Sequence, residues 1–360
     1  MDSGLALKRG ITFPWMFGPR LDILFYFAPI AVALYTFSLT HAPEIARSIF
    51  WATVVSSGFG AGPFHGGPTW FVYFDRRNID YYGSSPARAL TYFVLPPAIL
   101  VASVVGMIYL PHLTNAVYIF WTIQHLVQQN VGILLLYHNH GRGEAIVGRT
   151  LEKATLYSST VCCTLTMVAS LDFEGLGGIP GLSMLVAAAL AVTLAGCAVY
   201  VAELFRQVAS GRSLNMPAFL FWIVSVGFFL PLALLPPLFA RSAYQCLLIP
   251  LVLHWFQYIG LNYVLVKRKY ASDEVKNLPV GRPLALLSSV CVIMVVTVLT
   301  MNMVSLSDNG LALWHRKALV GAVFGLSLVH YYLDAFIWRF REAYQRESIL
   351  PYLLAKPANG

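Results

Sequence analysis

The chain is poor in charge. Only 11% of its 360 residues are charged, against 58% that are hydrophobic. A soluble domain of this length cannot bury that much apolar surface, so a soluble globular protein and a disordered one are both excluded. Cysteine is scarce as well. Cys162, Cys163, Cys197, Cys246 and Cys291 all fall in apolar segments and none has CxxC spacing. That excludes a disulfide framework and a thiolate metal site, and leaves small buried apolar residues. Several catalytic signatures are missing: the HExxH of zinc proteases, a Walker A loop, GxSxG, and the clustered histidine boxes of membrane desaturases. No Pro/Gly/Ser linker, low-complexity tract or fixed-period repeat interrupts the sequence. One domain is therefore expected over 1–360, with 1–21 a cytoplasmic or interfacial segment and 339–360 a cytoplasmic tail. The opening MDSGLALKRGITFPWMFGPR has no continuous apolar core followed by a cleavage site, so it does not read as a signal peptide.

What the chain has is long apolar runs. They do not alternate as β-barrel strands would, so the expected fold is all-α, a polytopic integral membrane bundle. Ten spans are predicted, roughly at 22–40, 48–72, 88–110, 113–137, 154–172, 180–205, 215–236, 242–266, 283–304 and 314–338. The charge pattern orients them. With a cytoplasmic N-terminus, the outer loops hold only Arg47, Arg241, Arg316 and Lys317. The other 20 of the 24 basic residues fall inside, among them Lys8, Arg9, Arg142, Lys276 and Lys356. This is the positive-inside bias, and it predicts both termini inside in a bacterial-type cytoplasmic (inner) membrane. The net charge of +8 then finds its counterpart in anionic lipid headgroups, and no nucleic acid partner is implied. The sequence names no protein partner.

Four histidines lie inside four of these spans: His65, His125, His254 and His330. All four spans are even-numbered, so all run from outside to inside. Counted from the inner ends, the four imidazoles lie at depths of roughly 10–18 Å, a difference that tilt absorbs. Four parallel helices can thus aim four rings at one metal ion. Imidazole is a neutral ligand suited to iron, zinc, copper and nickel. Such a site needs polar groups that orient each ring through its other nitrogen. At helical spacing the sequence offers Thr69 after His65, Gln128 and Gln129 after His125, Gln257 and Tyr258 after His254 with Asn262 one turn on, and Asp334 after His330. Asp334, Gln128 and Gln257 are the candidate catalytic groups. Asp334 has a second reading, in which it reaches headgroups near Arg339 or Arg341. Any one buried histidine also has a bland reading as a hydrogen bond across a helix interface. Trp121 and Trp255 are candidates either for packing or for a pocket wall. His41, His112 and His315 are expected at the outer surface, and the HxH pair His138 and His140 at the start of an inner loop.

These residues resemble those of the bacterial membrane carotene dioxygenases of the Brp/Blh type. The matching pieces are His65-Gly66 in FHGGPTWFVYFD and His330 to Asp334 in HYYLDAFIWR. Strings such as HLVQQNVGILLLY also resemble uncharacterised histidine-containing bacterial membrane proteins. The resemblance implies a shared site architecture, with His125 and His254 completing the ligand set. The leading expectation is a non-haem Fe(II) oxygenase acting on a lipid, isoprenoid or hydrocarbon that enters from the bilayer. Another histidine-favouring metal fits the same ligands. One alternative is a b-type haem protein pairing His125 with His138 or His140, and His315 with His330. Another is a proton-coupled or small-molecule transporter built around intramembrane His and Asp.

Overall fold

The structure, a computed structural model, describes residues 10–39, 62–141, 144, 147–171, 177–234, 243–270, 282–307 and 311–354. His41 and the basic residues Lys8, Arg9, Arg47, Arg142, Arg241, Lys276 and Lys356 lie outside the described residues, as does the side chain of Cys246. The described residues are almost wholly helical. We label its helices α1 (Pro29–Leu39), α2 (Gly62–Phe71), α3 (Arg76–Gly83), α4 (Leu95–Tyr109), α5 (Pro111–His140), α6 (Arg149–Leu171), α7 (Leu182–Ala209), α8 (Met216–Gly227), α9 (Ala243–Lys269), α10 (Pro283–Leu306), α11 (Leu313–Ile337), α12 (Ala343–Ser348) and α13 (Leu350–Leu354). Six helical stretches among the described residues are long and apolar enough to cross a membrane: Pro19–Ser38, Pro86–Tyr109, Leu182–Ala209, Leu247–Lys269, Pro283–Leu306 and Leu313–Ile337. The protein is thus an all-α, multi-pass membrane protein.

Prolines set several of the breaks. Pro111 starts α5 directly after Leu110, since a proline tolerates the first helical position and disfavours helix in the residue before it. Wide π turns at Ile23–Phe27 and Leu90–Val94 come just before Pro29 and Pro96, whose missing N–H groups interrupt the α register. Pro250 stays inside α9, as membrane helices allow.

The chain divides into two compact units. The first comprises 1–37, 123–251 and 356–360. Here Ile11–Thr12 (β1) pairs in parallel with Leu214–Asn215 (β2). Asn215 caps α8, accepting from the Ala218 amide at 3.0 Å, and its Nδ2 donates to the Tyr137 carbonyl. Asp22 accepts from the amides of Met16 and Phe17 at 2.7 and 2.9 Å. Tyr26, Tyr137 and Phe221 pack edge to face or tilted in its core.

The second unit comprises 38–122 and 252–355. Two close helix contacts build it. On α11, a Cβ at Gly321 would sit 2.8 Å from the Ser103 carbonyl oxygen and the Val104 Cα, and one at Gly325 would sit 2.7 Å from Leu100. Only glycine lets α11 approach α4 this closely, as membrane helices without a hydrophobic drive between them require. At Gly67 of α2 a Cβ would lie 2.6 Å from the Cys291 Cα of α10. Phe71, Val266, Leu287 and Cys291 form a buried apolar cluster beside that contact. An aromatic and polar cap closes one end of the unit. Tyr81 stacks on Tyr344 and Tyr82 on Tyr92, each at 3.9 Å. Tyr344 donates to Asn78 at 2.7 Å. Asp75 caps α3 through the Arg77 amide and meets Lys269 at 3.1 Å, with both side chains buried. The Tyr270 hydroxyl also donates to Asp75. Burial, and then the neighbouring Asp75 carboxylate, raise the Tyr270 pKa, so its hydroxyl remains a donor.

Candidate metal centre

Three of the predicted histidines meet inside the second unit. His65 comes from α2, His254 from the part of α9 in that unit, and His330 from α11. They are 8%, 2% and 1% exposed. The His65 ring centroid is 4.9 Å from that of His254 and 4.8 Å from that of His330, nearly perpendicular to both, and His254 is 6.1 Å from His330. One ring nitrogen from each histidine lies within 4.8 Å of the other two. Nitrogens bonded to one ion at about 2.1 Å stand roughly 3–4 Å apart. Shifts of about an ångström therefore bring all three into bonding range.

Two of the rings, those of His65 and His330, are held through their other nitrogens. His65 Nδ1 bonds the Gly62 carbonyl one turn earlier on α2. A carbonyl only accepts, so Nδ1 carries the proton and Nε2 the lone pair that a metal needs. His330 Nδ1 is 2.6 Å from Thr69 Oγ1. With Nδ1–H donated to Thr69, Nε2 of His330 is again the ligand atom. His65 and Thr69 are four residues apart and share one face of α2. The same short helix thus supplies a ligand and the group that orients another helix's ligand.

Tyr258 and Asp334 complete the centre. The Tyr258 hydroxyl donates to Asp334 Oδ1 at 2.7 Å and lies 3.4 Å from Thr69 Oγ1. Its ring stands edge-on to His330 at 4.9 Å. Asp334 Oδ1 is 3.7 Å from His330 Nδ1. The carboxylate faces this interior, while Arg339 lies over the Phe336 ring and donates to the Ala335 carbonyl. Of the two readings of Asp334, the structure therefore displays the inward one. Thr69, Gln257 and Asn262 are all buried. Asn262 donates to the Tyr258 carbonyl at 2.9 Å and so braces α9 below the tyrosine. Trp255 lies 6.1 Å from His65 and borders the centre.

Of the remaining candidates, His125, Gln128, Gln129, His138 and His140 belong to the first unit, and His112, Trp121 and His315 to the second. His125 is buried on α5, Gln129 is half-buried and Gln128 is exposed. His138 bonds Glu152 at 2.7 Å, and Tyr200 donates to the same carboxylate. His140 Nδ1 bonds the Leu136 carbonyl at 2.9 Å. The sequence does not reveal the buried Asp75–Lys269 pair. Its residues stand at the ends of apolar segments, where charges ordinarily face water. The sign available is Asp75 at the close of FHGGPTWFVYFD, the string that holds His65.

Three buried imidazoles, each a neutral nitrogen donor, suit a divalent transition metal and offer no thiolate. Three ligands leave positions open at the ion, as catalytic sites do. Comparison of the chain with protein-family models, with curated proteins and with solved structures found no match.

Proposed function

We propose that the protein is a membrane-embedded metalloenzyme, a non-haem iron oxygenase whose substrate is hydrophobic and comes from the bilayer. The observation that carries this reading is the convergence of His65, His254 and His330, within 4.8 Å and fully inside one unit. The orientation of His65 and His330 through Gly62 and Thr69 supports it, because a packing histidine needs no such tautomer control. Iron rather than zinc or copper is favoured by the resemblance to the Brp/Blh dioxygenases. A bound ferrous ion would supply the one-electron chemistry that reactions with O2 require. The chain's own residues do the rest. The three imidazoles bind without adding negative charge, so the ion stays cationic in a low-dielectric surrounding. Tyr258 donates to Asp334, and this pair lies with Thr69 on the Nδ1 side of His330, where it would brace the ligand ring from behind. Burial keeps bulk water out.

We also propose ten spans with both termini inside, in a bacterial inner membrane. The 20-to-4 division of basic residues supports this.

Metal analysis and a visible spectrum of the purified protein test the enzyme reading. The expected result is about one iron per chain with no Soret band. His65→Ala, His254→Ala and His330→Ala each lose most of the metal. A Soret band identifies a haem protein instead. A protein that purifies without metal, and transports with its histidines replaced, is a carrier. The content of His125→Ala, measured beside these, decides whether the fourth histidine is a ligand.

A further inference from the structure

An apolar groove also lies in the second unit. One stretch of it, about 610 Å³, is bounded by Trp70, Phe74, Phe93, Pro97, Ile293 and Met294. A second stretch, about 330 Å³, continues past Val101, Val105 and Met301. Thr297 and Leu326 line both, so the two stretches adjoin. From Pro96 to Val105 the two extend roughly 14 Å along α4, close to the ~15 Å depth of one bilayer leaflet. Phe93, Val101, Val105 and Ile293 on their rim are 38%, 61%, 47% and 64% exposed. They stand on helices that cross the membrane, so the medium at the rim is lipid hydrocarbon. At the end marked by Phe74, the exposed Arg76 stands two residues on, past the buried Asp75, and the exposed Arg88 lies one turn before Tyr92, another lining residue. These charges suit an anionic headgroup.

The groove shares a wall with the metal centre. On α2, Gly66 and Trp70 are four residues apart and present one face, next to the face of His65 and Thr69. Trp70 lines the groove, and Met294 Cε lies 3.5 Å from where a Gly66 Cβ would stand. At Gly66 the wall has no side chain, and the methionine beside it is among the most adaptable residues.

We propose that this groove binds one acyl chain of an anionic membrane phospholipid, and that Gly66 and Met294 mark where the chain passes closest to the three histidines. That the chain is substrate rests on the metalloenzyme reading; that the groove binds it does not. The test uses the full protein in vesicles of phosphatidylglycerol carrying a diazirine at mid-chain, with labelled peptides mapped by mass spectrometry. Labelling is expected at residues 70–74 and 293–301, at least tenfold above that on α7, whose Val192 and Val199 are 64% and 55% exposed. Thr297→Trp fills the groove away from the histidines. It should cut the labelling about tenfold and leave metal content unchanged. Labelling spread evenly over the exposed helices, or undiminished by Thr297→Trp, overturns the proposal. Phosphatidylcholine with the same chain should label less; equal labelling removes the anionic headgroup from it. Labelling confined to the groove in a protein without metal supports the lipid site, and sinks the enzyme reading and with it the substrate role.

Discussion

At the scale of single residues, Thr69 separates a metal site from a cluster of packing histidines. It touches no expected ion, and its hydroxyl lies 2.6 Å from His330 Nδ1. If it positions that ring, Thr69→Val should lower metal affinity about 10–100-fold, and Thr69→Ser should restore most of it. A competition titration against a chelator measures this. Equal affinity in all three proteins would mean that Thr69 merely fills space. Much of this network was legible in the sequence. A histidine, aspartate or amide inside an apolar span is costly, so each one stood out. What could not be read was which of them share a point. His65, Thr69 and Asp334 are far apart along the chain, and helical spacing only pairs residues within a helix. Spacing ties Thr69 to its own helix neighbour His65, yet Thr69 bonds His330. Spacing likewise ties Tyr258 to His254, and Tyr258 donates to Asp334.

At the scale of helices, glycines decide how the ligands are carried. Gly321 and Gly325 seat α11 against α4, and Gly67 seats α2 against α10. His330 lies just beyond the first contact and His65 beside the second, so both ligands inherit their positions from backbone packing. Gly321→Leu forces side-chain atoms onto the Ser103 carbonyl and should destabilise the protein by roughly 1–3 kcal/mol. Thermal unfolding in detergent reads the loss, with Ala322→Leu, one position along, as the milder comparison. An unchanged melting temperature for Gly321→Leu would show that α11 does not need this close approach. The sequence displays these glycines without showing what they face. Helix boundaries were more legible, because Pro111, Pro283 and the polar ends act locally. The groove was not. Val101, Ile293 and Met294 read like any lipid-facing residue, and only their arrangement around an empty volume distinguishes them.

At the scale of the molecule, the bilayer and the orientation of the chain in it are what composition and charge govern. Six described helices have the length and composition of spans, and helices occupy all ten apolar segments in whole or part. Single cysteines in a background without the native five test the ten-span arrangement. In intact cells, a membrane-impermeant thiol reagent should label Leu313→Cys and spare Arg212→Cys and Ser348→Cys. Labelling of either of the last two would reverse or break the proposed topology. The buried Asp75–Lys269 pair and the stacked tyrosines 81, 82, 92 and 344 close the end of the second unit that this topology places inside.

The sequence by itself determined that this is a helical membrane protein, roughly where its helices begin and end, and which polar residues those helices bury. Composition, hydrophobic run length and proline placement are local properties, and the bilayer acts on each segment separately. Tertiary structure alone decided that His65, His254 and His330 form one centre, that Asp334 turns inward to Tyr258, and that a groove runs along the wall behind His65. Those outcomes depend on which helix backbones can approach each other. Van der Waals packing between distant segments sets that, and no single segment encodes it.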